Sequence, residues 1–390
     1  MRYTPAAEIT ERLSNLRILM EKASLDGAFF HHKVDYFYLT GTMQNGILFV
    51  PADDDPIFFV KRAFPRARKE SPLKRILPIR SSKEIVSELK PMKRVGLQLD
   101  VMSYNDVMQF KKFLGSAETV DSSPLTRELR KYKSPYEISL MKKAGAIGKK
   151  VYARVPELLK EGMTEIELGG LLEAHAKALG HEGILRTRSL MFEAYSWHIL
   201  SGISGTVVSQ VDTPAGGLGL SPAFPMGAGM KKIKAHEPIM IDFPICYQGY
   251  LVDETRMFAI GSMPELFLKA YDACREIQYR VLDKALTGMG SDKLFEYSLD
   301  LARQMGFGAN YLGVKQHRVR FLAHGIGLEL SDMPFIAAAH KYPIEKNTVL
   351  AIEPKMVFPG KGICGIENTV LIKDGAYRVL SNTDERVVVV

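Results

Sequence analysis

Hydrophobic and polar positions change period several times along this chain. Residues 7–24 (AEITERLSNLRILMEKAS) place Ile9, Leu13, Leu16, Leu19 and Met20 on one stripe, which predicts an amphipathic helix. Short apolar runs follow: GAFF, DYFYLTG, GILFVP, DPIFFV and RVGLQL. Turn residues such as Asp53–Pro56 separate them, so they read as strands. A second helical pattern covers Tyr104–Leu114. Together these predict an α/β domain of about 125 residues.

Helix-start signals then cluster. Ser122 and Ser123 precede Pro124, and Ser134 precedes Pro135 with Glu137 in the first turn. A long helix is expected from Pro135 into the 150s. Thr164 with Glu167 three residues on forms a capping box for the next helix. Beyond about residue 185 strand patterns dominate, interrupted by helical stretches at 264–286 and 291–304. The chain is therefore divided into residues 1–130 and 131–390, an α/β domain followed by an α+β domain. The segment 213–229 (TPAGGLGLSPAFPMGAG) reads as a Gly/Pro-rich loop, and its few apolar anchors suggest a lid. It lacks the Lys-Ser/Thr ending of a phosphate-binding loop.

Composition narrows the class. The 390 residues are 46% hydrophobic and 25% charged, the balance of a globular chain that buries its own core. The three cysteines, Cys246, Cys274 and Cys364, have no zinc-finger spacing and cannot form a disulfide framework, which fits a reducing cytoplasm. No apolar run approaches the ~20 residues of a membrane span, and the N-terminus lacks the pattern of a signal peptide. The net charge is +8, of which +7 falls before Ser134, where 23 Lys and Arg face 16 Asp and Glu. The densest stretch is KRAFPRARKE (Lys61–Glu70). No aromatic stacking pattern accompanies it, so a solvated helix face is expected rather than a nucleic-acid surface.

The candidate chemistry lies in acids placed where acids are costly. In IMIDFPICYQGYLVDETRMFAIG two apolar strands flank a turn. A loop at Tyr247-Gln248 sets Asp242 directly opposite Asp253; a loop at Gln248-Gly249 makes them diagonal neighbours on the same face. Like charges across a strand pair repel, and an apolar strand also desolvates them. A bound cation removes both costs. Glu353 in TVLAIEPKMVF and Glu367 in GICGIENTVLI repeat the anomaly, and His324 in FLAHGIGLELSD lies between the two pairs in sequence. An oxygen-rich set with one imidazole suits Mn²⁺, Fe²⁺, Co²⁺ or Zn²⁺. Four carboxylates can bridge two ions, and a hydroxide between such ions is a nucleophile at neutral pH.

The order and context of these residues resemble the prolidase, aminopeptidase P and creatinase-like superfamily, whose catalytic domain has the pita-bread fold. YLTG (Tyr38–Gly41) resembles the creatinase-type N-terminal domain, and LRKYKSPYEISLMKKA resembles the linker of prolidase-like members. The resemblance implies a creatinase-like domain over 1–130 and a pita-bread metallohydrolase domain over 131–390. It implies Asp242, Asp253, His324, Glu353 and Glu367 as ligands of two divalent ions, with Glu353 also moving the proton. It further implies a metallopeptidase of X-Pro dipeptidase or aminopeptidase type acting on a small peptide or amide, and a homodimer.

The chain departs from that pattern around the metal. Pro225 stands near one usual histidine position, Ser331 at a second, and Gly365 where aminopeptidase P-like members often carry arginine. X-Pro turnover is therefore expected to be slow, since losing one oxyanion-type donor costs ~10²–10³ in rate. His198 in YSWHILSG and Arg256 in ETRMF are candidate substrate-binding residues, Arg256 alternatively orienting a ligand carboxylate. His175 and His181 read as a solvated pair at a helix end, and Cys246 as a small buried hydrophobe. Two other readings stand beside the peptidase: a hydrolase or lyase of a small non-peptide substrate on the same fold, and a binding protein that has lost catalysis.

Overall fold

The structure, a computed structural model, describes residues 3–188 and 197–390. The chain divides into two compact units, Met1–Arg130 and Lys131–Val390.

In the first unit six strands form one sheet: β1 (Gly27–Phe30), β2 (Gly46–Pro51), β3 (Ile57–Val60), β4 (Arg75–Pro78), β5 (Arg94–Leu97) and β6 (Glu118–Asp121). Their spatial order is β4-β3-β2-β1-β5-β6, antiparallel for β1/β2 and β2/β3 and parallel elsewhere. Every residue of β1, β2 and β3 is buried, which is why these strands read as continuous apolar runs instead of alternating. Phe29 anchors one core, its ring 4.6 Å from that of Phe49 and 5.0 Å from that of Phe110.

One expected strand is a helix. DYFYLTG lies within the helix Lys33–Thr40, ended by Gly41, whose N–H donates to the Phe37 carbonyl at 2.8 Å with φ +76°. A seven-residue apolar run has no period that separates a buried helix from a buried strand. Tertiary pairing decides it here: Asp35 in the first turn is buried against Arg130 Nη1 at 2.8 Å. The basic segment forms the short helix Phe64–Glu70, in which Pro65, Arg66, Arg68 and Lys69 are exposed, Phe64 and Glu70 half-buried and Ala67 buried, so its basic side chains form a solvated face.

The second unit opens with the helices Pro135–Tyr152 and Glu165–Ala178, each entered through its expected capping box, Ser134/Glu137 and Thr164/Glu167. The strands are β7 (His198–Ser201), β8 (Ile239–Asp242), β9 (Ile245–Tyr247), β10 (Tyr250–Val252), β11 (Thr255–Ala259), β12 (Phe321–Gly325), β13 (Asp332–Ala337), β14 (Val349–Ile352), β15 (Lys355–Phe358), β16 (Gly362–Gly365), β17 (Asn368–Lys373), β18 (Ala376–Val379) and β19 (Val388–Val389). They form a four-stranded sheet, β19-β11-β8-β7, and a five-stranded sheet, β13-β12-β14-β17-β18. Two ribbons, β9-β10 and β15-β16, complete the set. The helices Glu265–Ala285 and Ser291–Gln304 bury Phe267, Ile277, Val281 and Leu294 in one core with Leu322, Ile352 and Val357.

The hairpin that carries Asp242 and Asp253 has the later of its two possible turns. Tyr247 pairs with Tyr250, leaving Gln248 (φ +49°) and Gly249 (φ +83°) as the loop, the positive-φ pair of a type I′ turn. Asp242 therefore faces Thr255 across the ladder, and Asp253 lies on the diagonal. Segment 213–229 forms no strand beyond an isolated Ser221–Phe224 bridge. The N–H groups of Gly216 and Gly217 both donate to the Val207 carbonyl, fixing its start.

Candidate metal centre

Each acid sits where a strand breaks, which releases its side chain from the regular alternation. Asp242 ends β8, between His198 of β7 and Thr255 of β11 in the ladder. Asp253 follows β10, its backbone clamped by Thr369: the hydroxyl accepts from Asp253 N–H at 2.8 Å and donates to its carbonyl at 2.9 Å. Glu353 follows β14 and Glu367 precedes β17, the latter bridged to Thr255 through both backbone groups at 3.3 Å. His324 lies in β12, with Nδ1 3.1 Å from the Gly325 carbonyl. A carbonyl only accepts, so Nδ1 carries the proton and Nε2 presents its lone pair. Burial lowers the His324 pKa, which keeps the ring neutral and fit to ligate.

The structure thus brings all five candidate residues to one place, the floor of a cavity of about 510 Å³. Three of them, Asp253, His324 and Glu367, have ligand atoms within 4.8 Å of one another. Nε2 of His324 lies 3.9 Å from Glu367 Oε1, a buried oxygen that receives no hydrogen bond. A lone pair facing an unsatisfied carboxylate oxygen inside a protein is unfavourable without a cation between them. Burial, with Glu367 and Asp242 beside it, drives the Asp253 pKa well above the usual carboxylate range. Burial chiefly pushes Glu367 to about 8. These groups fit a divalent cation.

A sixth residue was not foreseen. Lys355, at the start of β15, is buried, and its ammonium donates to Glu353 Oε2 at 2.6 Å, Asp242 Oδ2 at 2.8 Å and Glu367 Oε2 at 3.2 Å. Burial disfavours its charged form, but the three carboxylates outweigh burial and hold its pKa well above that of a free lysine. Burial would likewise raise Asp242; Lys355 and His198 reverse the shift. The sequence did hold a signal. Lys355 stands two residues after Glu353 in an extended, otherwise apolar run, which puts both on one side of the chain. The expected pair of ions therefore meets a lysine ammonium among three of the four carboxylates.

Around the floor, Val211, Met226, Pro244, Phe321, Leu330 and Phe335 supply apolar wall, and His198 and Ser331 also line the cavity. His198 Nε2 is 3.0 Å from the Gly216 carbonyl, which ties β7 to the Gly-rich segment. Arg256 is elsewhere. The residue is 1% exposed and outside the cavity lining, its guanidinium donating to the carbonyls of Thr255 and Glu367 at 2.8 Å each. Further bonds go to Asn368 Oδ1 at 2.8 Å, Thr383 O at 3.1 Å and Asp384 O at 3.0 Å, and Glu254 pairs with it at 2.7 Å. Arg256 lies outside the cavity, and it holds the backbone of Glu367 and not the carboxylate. His181 is corrected too. It is buried, its Nδ1 accepting from Cys246 N–H at 2.9 Å and its ring against Phe243. Cys246 packs nearby, burial holding its thiol protonated.

Two layered units and a buried Asp/His/Glu centre between the sheets of the second define a metal-dependent hydrolase class. The chain belongs to metallopeptidase family M24, which matches residues 139–374, and residues 12–132 match the Creatinase/Prolidase N-terminal domain. It is 26% identical over 376 residues to the Xaa-Pro dipeptidase of Pyrococcus furiosus, covering 96% of this chain and 98% of that one. The Xaa-Pro dipeptidase structure from Bacillus anthracis superposes with a TM-score of 0.83 at 21% identity, over 98% of this chain and 100% of the other. The prolidase structure from Pyrococcus horikoshii gives 0.80 at 22% identity, covering 97% and 99%. The fold is accordingly a creatinase-type α/β domain followed by a pita-bread domain.

Proposed function

We propose that this chain hydrolyses the peptide or amide bond of a small substrate of X-Pro type. The observation that carries the reading is the cavity floor: Asp253, His324 and Glu367 gathered within 4.8 Å, with Glu353 beside them. Asp253, His324 and Glu367 would hold the ion, and their oxygen-rich chemistry favours Mn²⁺, Co²⁺, Fe²⁺ or Zn²⁺. Bound there, the ion supplies Lewis acidity toward the scissile carbonyl.

The chain's own groups do the rest. Glu353, raised by burial against the opposing pull of Lys355, accepts the proton of the attacking water and returns it to the leaving nitrogen. Lys355 fixes the Glu353 carboxylate through Oε2. The apolar wall excludes water and accommodates a ring such as proline. His198 and Ser331 offer polar contacts to the rest of the substrate. The Gly-rich 213–229 segment covers one side, contributing Thr213 and Met226 to the lining. The family resemblance also supports a homodimer, and three cysteines without a disulfide framework support a cytoplasmic location. Among the described residues no helix is long and apolar enough to cross a membrane.

A steady-state assay on matched X-Pro and non-Pro dipeptides, with each of the four metals, tests the reading. X-Pro hydrolysis is expected, with kcat/KM below about 10⁴ M⁻¹s⁻¹ because Pro225 and Ser331 replace polar groups of the usual site. No hydrolysis of any dipeptide with any metal overturns it. Rates above that bound overturn only the claim of a depleted substrate site.

A further inference from the structure

The metal-dependent reading above leaves open why a lysine should be buried among carboxylates expected to hold metal. We infer that the Lys355 ammonium stands in for one of the two ions, so that this centre holds a single divalent ion, on Asp253, His324 and Glu367.

Hydrogen bonding comes first. An ammonium has three N–H donors, and all three are directed at carboxylates: Asp242 Oδ2, Glu353 Oε2 and Glu367 Oε2, at 2.6–3.2 Å. Those oxygens face a cation already. The atoms left over cluster at the other side of the set: Asp253, the Nε2 of His324, the unsatisfied Oε1 of Glu367 at 3.9 Å from that nitrogen, and Glu353 Oε1 at 3.6 Å from it. The five-residue set is thereby split between a built-in cation and a place for one ion.

Charge agrees. Ionised, four carboxylates and one ammonium leave three negative charges, and one divalent ion reduces that to one. Two divalent ions would sit ~3.5–4 Å apart with the ammonium among the same oxygens, three cations sharing four carboxylates in a buried site. Like charges at that range repel strongly where water is excluded.

The backbone makes room for the lysine. Lys355 pairs across the β15/β16 ribbon with Gly365. A Cβ built at Gly365 would lie 2.5 Å from Lys355 Cγ, 2.9 Å from its Cα and 2.8 Å from the Pro354 carbonyl. Any larger residue there would force aside the lysine stem and the Pro354–Lys355 backbone that carries it. Gly365 and Lys355 therefore act as a matched pair, the absent side chain of one providing the path for the other.

The test is metal stoichiometry on the full-length chain. Protein stripped with chelator, loaded with excess Mn²⁺ and freed of unbound metal is analysed for Mn per chain, together with its Mn²⁺ electron paramagnetic resonance. Wild type is expected to hold one ion and to show the hyperfine pattern of an isolated Mn²⁺. Lys355→Gly is expected to hold two and to show the broadened pattern of an exchange-coupled pair. Gly365→Ala, which crowds the lysine stem without removing the charge, provides a second route to a gain of metal if Lys355→Gly fails to fold. Two ions in the wild type, none at all, or no gain in either folded variant overturns the inference. The outcome is separable from the peptidase reading. Two coupled ions with X-Pro turnover defeat the lysine substitution alone, whereas one ion with no dipeptide hydrolysis defeats the peptidase reading alone.

Discussion

Replacing Arg256 by methionine isolates a side chain that works on the metal centre without touching it. The buried guanidinium supports both neighbours of the centre at once: it donates to the carbonyl of Glu367 and pairs with Glu254, the residue after Asp253. Methionine keeps much of the stem's volume and removes every donor. Taking one partner from a buried ion pair costs about 3–5 kcal/mol. The carbonyls of Thr255 and Glu367 keep a partner each in their mutual backbone bonds, so they add little. A loss near ~4 kcal/mol follows, or a fall of roughly 8–16 °C in Tm at about 2–4 °C per kcal/mol. The single tryptophan, Trp197, is buried in the second unit with its ring 3.2 Å from that of Phe243, so its fluorescence during urea unfolding reports on this unit. Most of the loss comes from the stranded Glu254 carboxylate, whose pKa burial already raises against the pull of Arg256. Adding Glu254→Gln should therefore restore about 2 kcal/mol, a coupling that a double-mutant cycle reads directly. A destabilisation under about 1 kcal/mol for Arg256→Met, or a double variant no more stable than the single, would refute this account.

Glu353→Gln should lower turnover by ~10²–10⁴, since the amide cannot accept the proton, while the Mn content stays at the wild-type level; near-normal rates would remove Glu353 from proton transfer. Adding Mn²⁺ to chelator-treated protein should raise the stability read by Trp197 by about 2.7 kcal/mol at a hundredfold excess over Kd, and an unmoved transition would argue against any folded-state metal site. Glu165 is a pH test. Its buried carboxylate accepts from the Ser201 N–H at 2.7 Å and from the Gly229 N–H at 3.2 Å, and burial raises its pKa above 4.5 despite those bonds. A raised folded pKa means that the stability it contributes is present in full below the unfolded value and lost as pH rises through the folded one. The stability advantage of wild type over Glu165→Gln should thus be largest near about pH 4 and shrink toward neutrality; a gap that widens with pH contradicts the assigned direction.

Much of the local architecture was decided by short stretches of sequence. Ser134 with Glu137 and Thr164 with Glu167 start their helices because the caps satisfy backbone donors within three residues. Asp242, Asp253, Glu353 and Glu367 stood out because a carboxylate in an apolar strand is costly wherever that strand packs. Other features depended on partners far along the chain. DYFYLTG became a helix through Asp35 pairing with Arg130, a contact 95 residues away. Arg256 left the substrate because the bonds that hold it come from residues 367–384. Lys355 shared a side of the chain with Glu353 in the sequence itself. That its ammonium also reaches Asp242, 113 positions earlier, required the β15/β16 ribbon to fold against the four-stranded sheet and Gly365 to leave its stem a path. Periodicity and caps act over one turn or one strand, so they are written locally. The charge balance of a buried centre is a sum over groups that only the tertiary fold brings within bonding distance.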